Sequence, residues 1–486
     1  MYIGVILGGI NATILFPQFL STVEYGFIRW LLVVGSVIGI LARLGMRDVT
    51  FKFFPYFKDK ENNHHGFLSV ALLLPLIGVV LGALSIWLFQ DWLISFYGKE
   101  ESFLIISKYY WWLLPMLLFD VYFNVLTAYS TSLMKAAIPI FFRDLFVRLM
   151  ALVLLLLFWK KILDFGQFVQ LYTFIYGAQC IGMVVYLYKI GQLKLKWDFS
   201  KFKQLKKEML PYAGFAFLSG GATFLVGNID SFMVSTLTET KLSALAIFSV
   251  FAYVGTLVII PARAIMNVSL PVIANAWKND DVDTIDSIYK KTASTQLVIG
   301  LGLLVLVWAN IDHFISFLAW VKKDNEYAVG KYVALFIGLA KLIDGATGIN
   351  GGIIITSKYY RFDLFFVLLL VGLAIGTNYL LIPKYDITGA AIATFITASA
   401  YNLGKYAFVK WRFKLDPFTA QTWWTLLLGI ALFSINYLLP TLNPFFLDFL
   451  YRSLILGGLY VAAVLYFRLS PDISALINKI LKRYKA

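Results

Sequence analysis

The stretch GFLSVALLLPLIGVVLGALSIWLFQ, residues 66–90, runs for 25 residues without a charged side chain. A helix needs about 20 apolar residues to cross the hydrocarbon core of a bilayer, whereas a transmembrane strand needs about 9–11 with alternating polarity. This stretch shows no such alternation, and its length suits a helix with room to tilt. The solvent it implies is lipid, where each segment must satisfy its own backbone hydrogen bonds.

Composition extends that reading to the whole chain. Of the 486 residues, 60% are hydrophobic, 17% aromatic and only 14% charged, with a mean hydropathy of +0.78. A soluble domain carries about 25% charged residues. Apolar runs of helix length recur near 2–20, 27–45, 66–90, 109–131, 141–158, 165–188, 209–235, 243–265, 292–310, 331–355, 362–382, 387–408, 421–439 and 448–468. The predicted fold class is an all-α integral membrane protein with about 14 transmembrane helices. The first run lacks the basic lead and small-residue cleavage site of a signal peptide.

Lysine and arginine set the orientation. With the amino terminus in the cytoplasm, 28 of them fall on the cytoplasmic side, 9 on the other, and 5 lie within or at the ends of spans. Both termini are then cytoplasmic. The net charge of +15 becomes a signal of topology and of contact with anionic lipid, not of nucleic-acid binding.

Several chemistries drop out. Cys180 is the sole cysteine, so no disulfide forms within the chain and no cysteine metal site is expected. His64, His65 and His313 fall between the predicted spans. No GxxxxGK[ST] loop appears and no soluble domain interrupts the runs, so neither ATP hydrolysis, a catalytic residue nor a resident cofactor is expected. The segment KNDDVDTIDSIYKK, 278–291, reads as an amphipathic surface helix.

A shift of about 220 residues aligns the two halves. KYYWWLLPMLLFD (108–120) meets KYVALFIGLAKLID (331–344), which places Asp120 on Asp344; Arg43 likewise falls on Arg263. Six spans per half would give two pseudo-symmetric lobes, 1–190 and 205–412, with two extra helices and a tail in 420–486.

Four stretches, FPQFLSTVEYGFIRWL (16–31), LGMRDVTFKFFPYF (44–57), NIDSFMVSTL (228–237) and TNYLLIPKYDITGAAIATF (377–395), together resemble Wzx-type polysaccharide-unit flippases. Those belong to the multidrug/oligosaccharidyl-lipid/polysaccharide (MOP) exporter superfamily, which also holds the MATE transporters. The resemblance covers nearly the whole chain and implies two six-helix lobes. It departs at the first span, where relatives carry a longer polar lead.

The charges within spans are the candidate site residues. An ionised side chain at mid-membrane costs roughly 2.5–3.5 kcal/mol on insertion scales and persists by pairing or by facing water. Lys341 and Asp344, in GLAKLIDGATGINGG (338–352), are three apart and can neutralise each other, while the glycines around them predict a kink. They read as a cavity wall or as a structural pair. Arg43, Arg47 and Arg263 lie at cytoplasmic helix ends. Guanidinium forks grip phosphates bidentately, so one arginine per lobe suits a lipid diphosphate; a topology anchor fits the same positions. Asp120 joins this substrate set through the repeat. Arg148 and Arg452 read as anchors or helix-pair partners. Asp230, Asn378 and Thr394 offer hard oxygens for Na⁺, or a carboxylate for H⁺. The resemblance permits such coupling, and hydrogen bonds between helices are the other reading.

The expected function is a flippase of the bacterial inner membrane that moves undecaprenyl-diphosphate-linked oligosaccharide by alternating access for surface polysaccharide synthesis, in company with other assembly proteins. A cation-coupled drug exporter of the same superfamily is the alternative. A membrane glycosyltransferase or polymerase is disfavoured by the short outer loops. The topology makes a direct prediction. A tag after Ala486 will be modified only by reagents on the cytoplasmic side, and a tag within 322–326 only from outside; reaction of both tags from one face contradicts it.

Overall fold

The computed structural model describes residues 2–59, 61–98, 101–359 and 361–470, with the backbone alone at a few positions, Arg263 among them. Every regular element among the described residues is helical. The chain divides into two compact units, with the boundary between Ser249 and Val250. In the first lie α1 (Tyr2–Ile10), α2 (Phe16–Phe19), α3 (Thr22–Ala42), α4 (Met46–Phe57), α5 (Phe67–Leu88), α6 (Gln90–Ser95), α7 (Glu101–Tyr109), α8 (Leu113–Ser132), α9 (Ala137–Phe141), α10 (Val147–Trp159), α11 (Phe165–Lys189) and α12 (Ser200–Leu237). The boundary falls inside α13 (Leu242–Thr256). The second unit continues with α14 (Ile260–Lys278), α15 (Val282–Lys322), α16 (Lys331–Ala346), α17 (Asn350–Thr356), α18 (Arg361–Phe413), α19 (Ala420–Leu438) and α20 (Phe445–Tyr466). The first unit thus extends past residue 190, because α12 packs on α3 and α4.

Local sequence explains where the helices start and stop. STVE at 21–24 forms a capping box: Ser21 Oγ accepts from the Glu24 amide at 3.1 Å, and the Ser21 amide donates to Glu24 Oε2 at 2.9 Å. Asp164 and Gln167 do the same for α11. Asp281 starts α15 by accepting from the Thr284 amide at 3.0 Å, so the amphipathic segment and the span behind it form one helix of 41 residues. That helix runs to Lys322 and contains His313, which the sequence reading had set between spans.

Eight helices among the described residues are long and apolar enough to cross a membrane, ten if each of two bent pairs counts as one span. Part of the difference from fourteen runs comes from joined and broken helices. In α18, the backbone leaves helical geometry at Asp386. Lys405 pairs with Asp363, Thr377 with Thr397, and Gly389 lies against Leu381. The converging numbers show two antiparallel arms, matching the runs at 362–382 and 387–408. Conversely, π-helical turns at Asn11–Leu15 and Phe142–Phe146 interrupt the first and fifth runs.

Small residues let these helices approach closely. Gly35 and Gly39 on α3 face α8, where a Cβ on Gly35 would lie 3.1 Å from Met116 Cγ. Gly78 and Gly82 on α5 face the end of α3, with Gly78 against the Ala42 carbonyl. Both pairs have GxxxG spacing, which suits packing where lipid supplies no hydrophobic drive between helices. Arg148 occupies a third such groove: a Cβ on Gly8 would lie 2.6 Å from its Nε, and its carbonyl accepts from Asn11 Nδ2 at 2.8 Å. It is a partner of α1.

Buried polar groups are tied together as a lipid setting requires. Trp30 Nε1 donates to Tyr97 Oη at 2.6 Å, and Tyr97 Oη lies 3.1 Å from Ser235 Oγ, which joins α3 to α12. In the second unit, Arg452 donates to Asp448 at 2.9 Å and to Asn436 Oδ1 at 2.9 Å, while His313 Nε2 lies 2.9 Å from the same Asp448 Oδ2. This network holds the α19–α20 hairpin to α15.

Candidate substrate site

The site is built on the turn between α3 and α4. Arg43 ends α3, its amide bonding to the Gly39 carbonyl at 3.1 Å. Leu44 and Gly45 then take φ of 49° and 72°, and α4 begins at Met46. Gly45 is required twice over: its backbone is left-handed, and a Cβ there would overlap the Ala213 carbonyl of α12. The turn is thereby pressed against α12. Between them lies a cavity of about 390 Å³, lined by Arg43, Arg47, Asp48 and the small-residue stretch of α12 that includes Ala216, Gly220 and Gly221.

Arg43 is only 7% exposed, and its Nη2 donates to Asp120 Oδ2 on α8. Asn124, one turn further along α8, holds that carboxylate from behind, donating to Asp120 Oδ1 at 3.0 Å and to the Asp120 carbonyl at 2.8 Å. Gly39 leaves the space that Asp120 Oδ2 occupies. The guanidinium is not saturated, because its Nε is buried without an acceptor. A buried donor left unmet costs about 1–3 kcal/mol, more when charged. Arg47 is exposed, with its guanidinium 6.0 Å from the centre of the Phe51 ring. Two cations and two carboxylates therefore stand at this site: Arg43 and Asp120 are locked together, and Arg47 and Asp48 line the cavity.

The remaining candidates are distributed as follows. Arg263 belongs to α14, and its side chain lies outside the described residues. Lys341 is half-buried and Asp344 exposed on α16, and among the described residues the two form no ion pair. Positions three apart differ by about 60° around a helix, enough to send the two chains to different surroundings. The expected kink is present: α16 stops at Ala346, Gly348 has φ of 63°, and α17 leaves at 50°. Asp230 is on α12, in the first unit. Asn378 and Thr394 are on α18 in the second, where Asn378 Nδ2 donates to the Ala374 carbonyl at 2.8 Å and Thr394 Oγ1 to Ala390 at 3.0 Å.

Sequence reasoning missed several residues. Asn124 and Gly39 carry no charge and gave no signal beyond the GxxxG spacing of Gly35 and Gly39. Lys405, counted among the cytoplasmic lysines, is 4% exposed, 2.7 Å from Asp363 Oδ1, and also donates to Tyr401 Oη. It joins the two arms of α18 near the broken α16–α17 pair; a Cβ on Gly351 would lie 3.2 Å from its Nζ.

These features can be set beside known proteins. A structure of the lipid II flippase MurJ in an inward closed conformation matches 96% of this chain and 97% of its own, with a TM-score of 0.76 at 15% identity. An inward-facing multidrug resistance MATE family transporter of the MOP superfamily matches 85% of this chain and 95% of its own, with a TM-score of 0.63 at 16% identity. The chain has the fold of MurJ and the MATE transporters. It is a multi-pass helical membrane protein. No family model matches the sequence. A capsular polysaccharide biosynthesis protein, CapF of Staphylococcus aureus, is 24% identical over 229 residues, 46% of this chain. That match spans 55% of the relative's length.

The ion pair yields a prediction about stability. Arg43→Leu or Asp120→Leu alone will destabilise the protein in detergent unfolding, since each leaves an uncompensated charge in the membrane domain. The double variant will recover part of the loss, giving a coupling of about 1–3 kcal/mol. Additive losses would mean that the two groups do not depend on each other.

Proposed function

We propose that this chain is a flippase for undecaprenyl-diphosphate-linked oligosaccharide, working in a bacterial inner membrane during surface polysaccharide synthesis. The observation that carries the proposal is the pair of arginines, Arg43 and Arg47, set on one cavity of about 390 Å³ in a MurJ-like fold. Arg47 presents an open guanidinium. Arg43 is held in place by Asp120 and keeps one donor without an acceptor. A diphosphate offers several oxygens to such a pair, and charge-assisted hydrogen bonds of this kind are roughly twice as strong as neutral ones. The capsule protein relative supports the polysaccharide part of the reading.

In the full proposal fourteen spans form two six-helix lobes and an added helix pair, with both termini in the cytoplasm. Arg263 serves the second lobe as Arg43 serves the first. Lys341 and Asp344 line the path of the polar sugar, and the α16–α17 break beside them bends as access alternates. Asp230, Asn378 and Thr394 couple the movement to Na⁺ or H⁺. The chain acts without chemistry of its own, alongside other assembly proteins. A second reading, a cation-coupled drug exporter, is supported by the likeness to a multidrug transporter. The two separate on substrate: a drug exporter has no need of a paired guanidinium for phosphate.

The test is export in cells. Arg43→Ala and Arg263→Ala will each leave the protein inserted in the membrane while lipid-linked sugar accumulates on the cytoplasmic side. Arg43→Lys will rescue poorly, because an ammonium lacks the planar fork. Normal export by the double alanine variant would overturn the reading.

A further inference from the structure

The segment between α11 and α12, residues 190–199, has no regular structure, yet it does not hang free. Its inner side is fastened to the first unit. The Ser69 hydroxyl donates to the Lys196 carbonyl at 2.9 Å, and the Tyr129 hydroxyl donates to the Gln192 carbonyl at 3.4 Å. Leu193 packs on the core formed by Phe54, Phe67 and Leu187. His64 Nδ1 accepts from the Asp59 amide at 3.1 Å, so Nε2 carries the proton and donates to Gln192 Oε1 at 2.9 Å. Asn63, His64, His65 and Gly66 all have positive φ, between 48° and 71°. Gly66 lies against the Lys196 and Asp198 carbonyls. Four consecutive left-handed residues persist only where their surroundings over-determine them. The strap is therefore held in a specified place.

What it presents outward has a definite chemistry. Tyr188, Leu195 and Trp197 are 72%, 55% and 66% exposed. Lys189 and Lys194 are exposed among them, and Lys203, Lys206 and Lys207 follow on the first turns of α12, with Leu210 exposed beside them. Seven lysines stand between 189 and 208 against two acids, Asp198 and Glu208. Hydrogen bonds from the Ser200 side chain and amide hold the Asp198 carboxyl below the usual carboxylate range, and that acid is turned back toward Ser200 and Lys196. The exposed tyrosine, leucine and tryptophan set apolar area beside the lysines on one surface. Aromatic and aliphatic side chains interleaved with lysine are the signature of a surface resting at the headgroup level of an anionic leaflet.

We propose that the strap and the start of α12 form a docking surface for anionic lipid headgroups on the cytoplasmic leaflet. Trp197 and Leu195 enter the interface, and the lysines meet lipid phosphates. Because the strap is pinned to Ser69, Tyr129, His64 and the left-handed turn, the contact fixes the height of the first unit in the bilayer.

The experiment uses the full chain with Cys180→Ala and Trp197→Cys, labelled with an environment-sensitive fluorophore and placed in lipid nanodiscs. In discs of phosphatidylcholine containing about one-third phosphatidylglycerol, the emission will shift to the blue relative to phosphatidylcholine alone, and high salt will reverse the shift. A label at Leu195→Cys will behave alike. The variant carrying Lys189→Gln, Lys194→Gln, Lys203→Gln, Lys206→Gln and Lys207→Gln will lose the lipid dependence while keeping its unfolding temperature. Identical emission in both lipids, or a shift that survives the five glutamines, would overturn the proposal. A shift that appears only on adding soluble cytoplasmic proteins would overturn it too and assign the surface to a protein partner.

Discussion

The ion pair between Arg43 and Asp120 is the constraint around which the first unit is arranged. A guanidinium and a carboxylate, each costly alone in lipid, are brought together from two helices 77 positions apart. The pairing dictates the surrounding residues. Gly39 must lack a side chain so that the carboxylate can reach α3, and Asn124 must sit one turn from Asp120 to meet its second oxygen. Gly45 must take a left-handed turn so that Arg47 and Asp48 follow Arg43 onto the same cavity. The ion pair thus accounts for Gly39, Asn124 and the close approach of α3 and α8, while Gly45 sets the turn against α12.

The second unit solves the same problem with different residues. Lys405 is buried between Asp363 and Tyr401, and Arg452 is surrounded by Asp448, Asn436 and His313. The arginine network has its fork filled by protein acceptors, which suits a structural clasp. Arg43 is tied to Asp120 by one nitrogen and also lines the cavity between the α3–α4 turn and α12. That cavity sets it apart from Arg452, which is enclosed by its protein acceptors.

Hydropathy made the helical membrane fold legible, because a bilayer demands long uncharged runs and this chain has them from end to end. Arg43 and Arg47 stood out as arginines at a predicted helix end, and Asp120 through its alignment with Asp344 in the repeat. The sequence did not reveal that Arg43 and Asp120 meet, since a contact between helices leaves no trace in local spacing. It led instead to the local partner in Lys341 and Asp344, where three-residue spacing permits a pair that the structure does not form. The Lys405–Asp363 pair was hidden for a related reason: a lysine near the end of an apolar run carries no sign of its partner, and only the antiparallel arms of α18 show that Asp363 comes back to meet it. The glycines of α3 and α5 were visible as letters, but their role depends on which helix lies opposite.

The most direct measurement of the central claim is carrier selectivity in vesicles. The purified chain is reconstituted with the same glycan on a polyprenyl diphosphate or on a polyprenyl monophosphate, and the loss of glycan from the face open to a membrane-impermeant glycosidase is followed in time. A site that reads diphosphate through Arg43 and Arg47 moves the diphosphate carrier at least about tenfold faster, the ratio that 1.4 kcal/mol of differential interaction produces. Equal rates for the two carriers, or movement of neither above empty vesicles, would contradict the account.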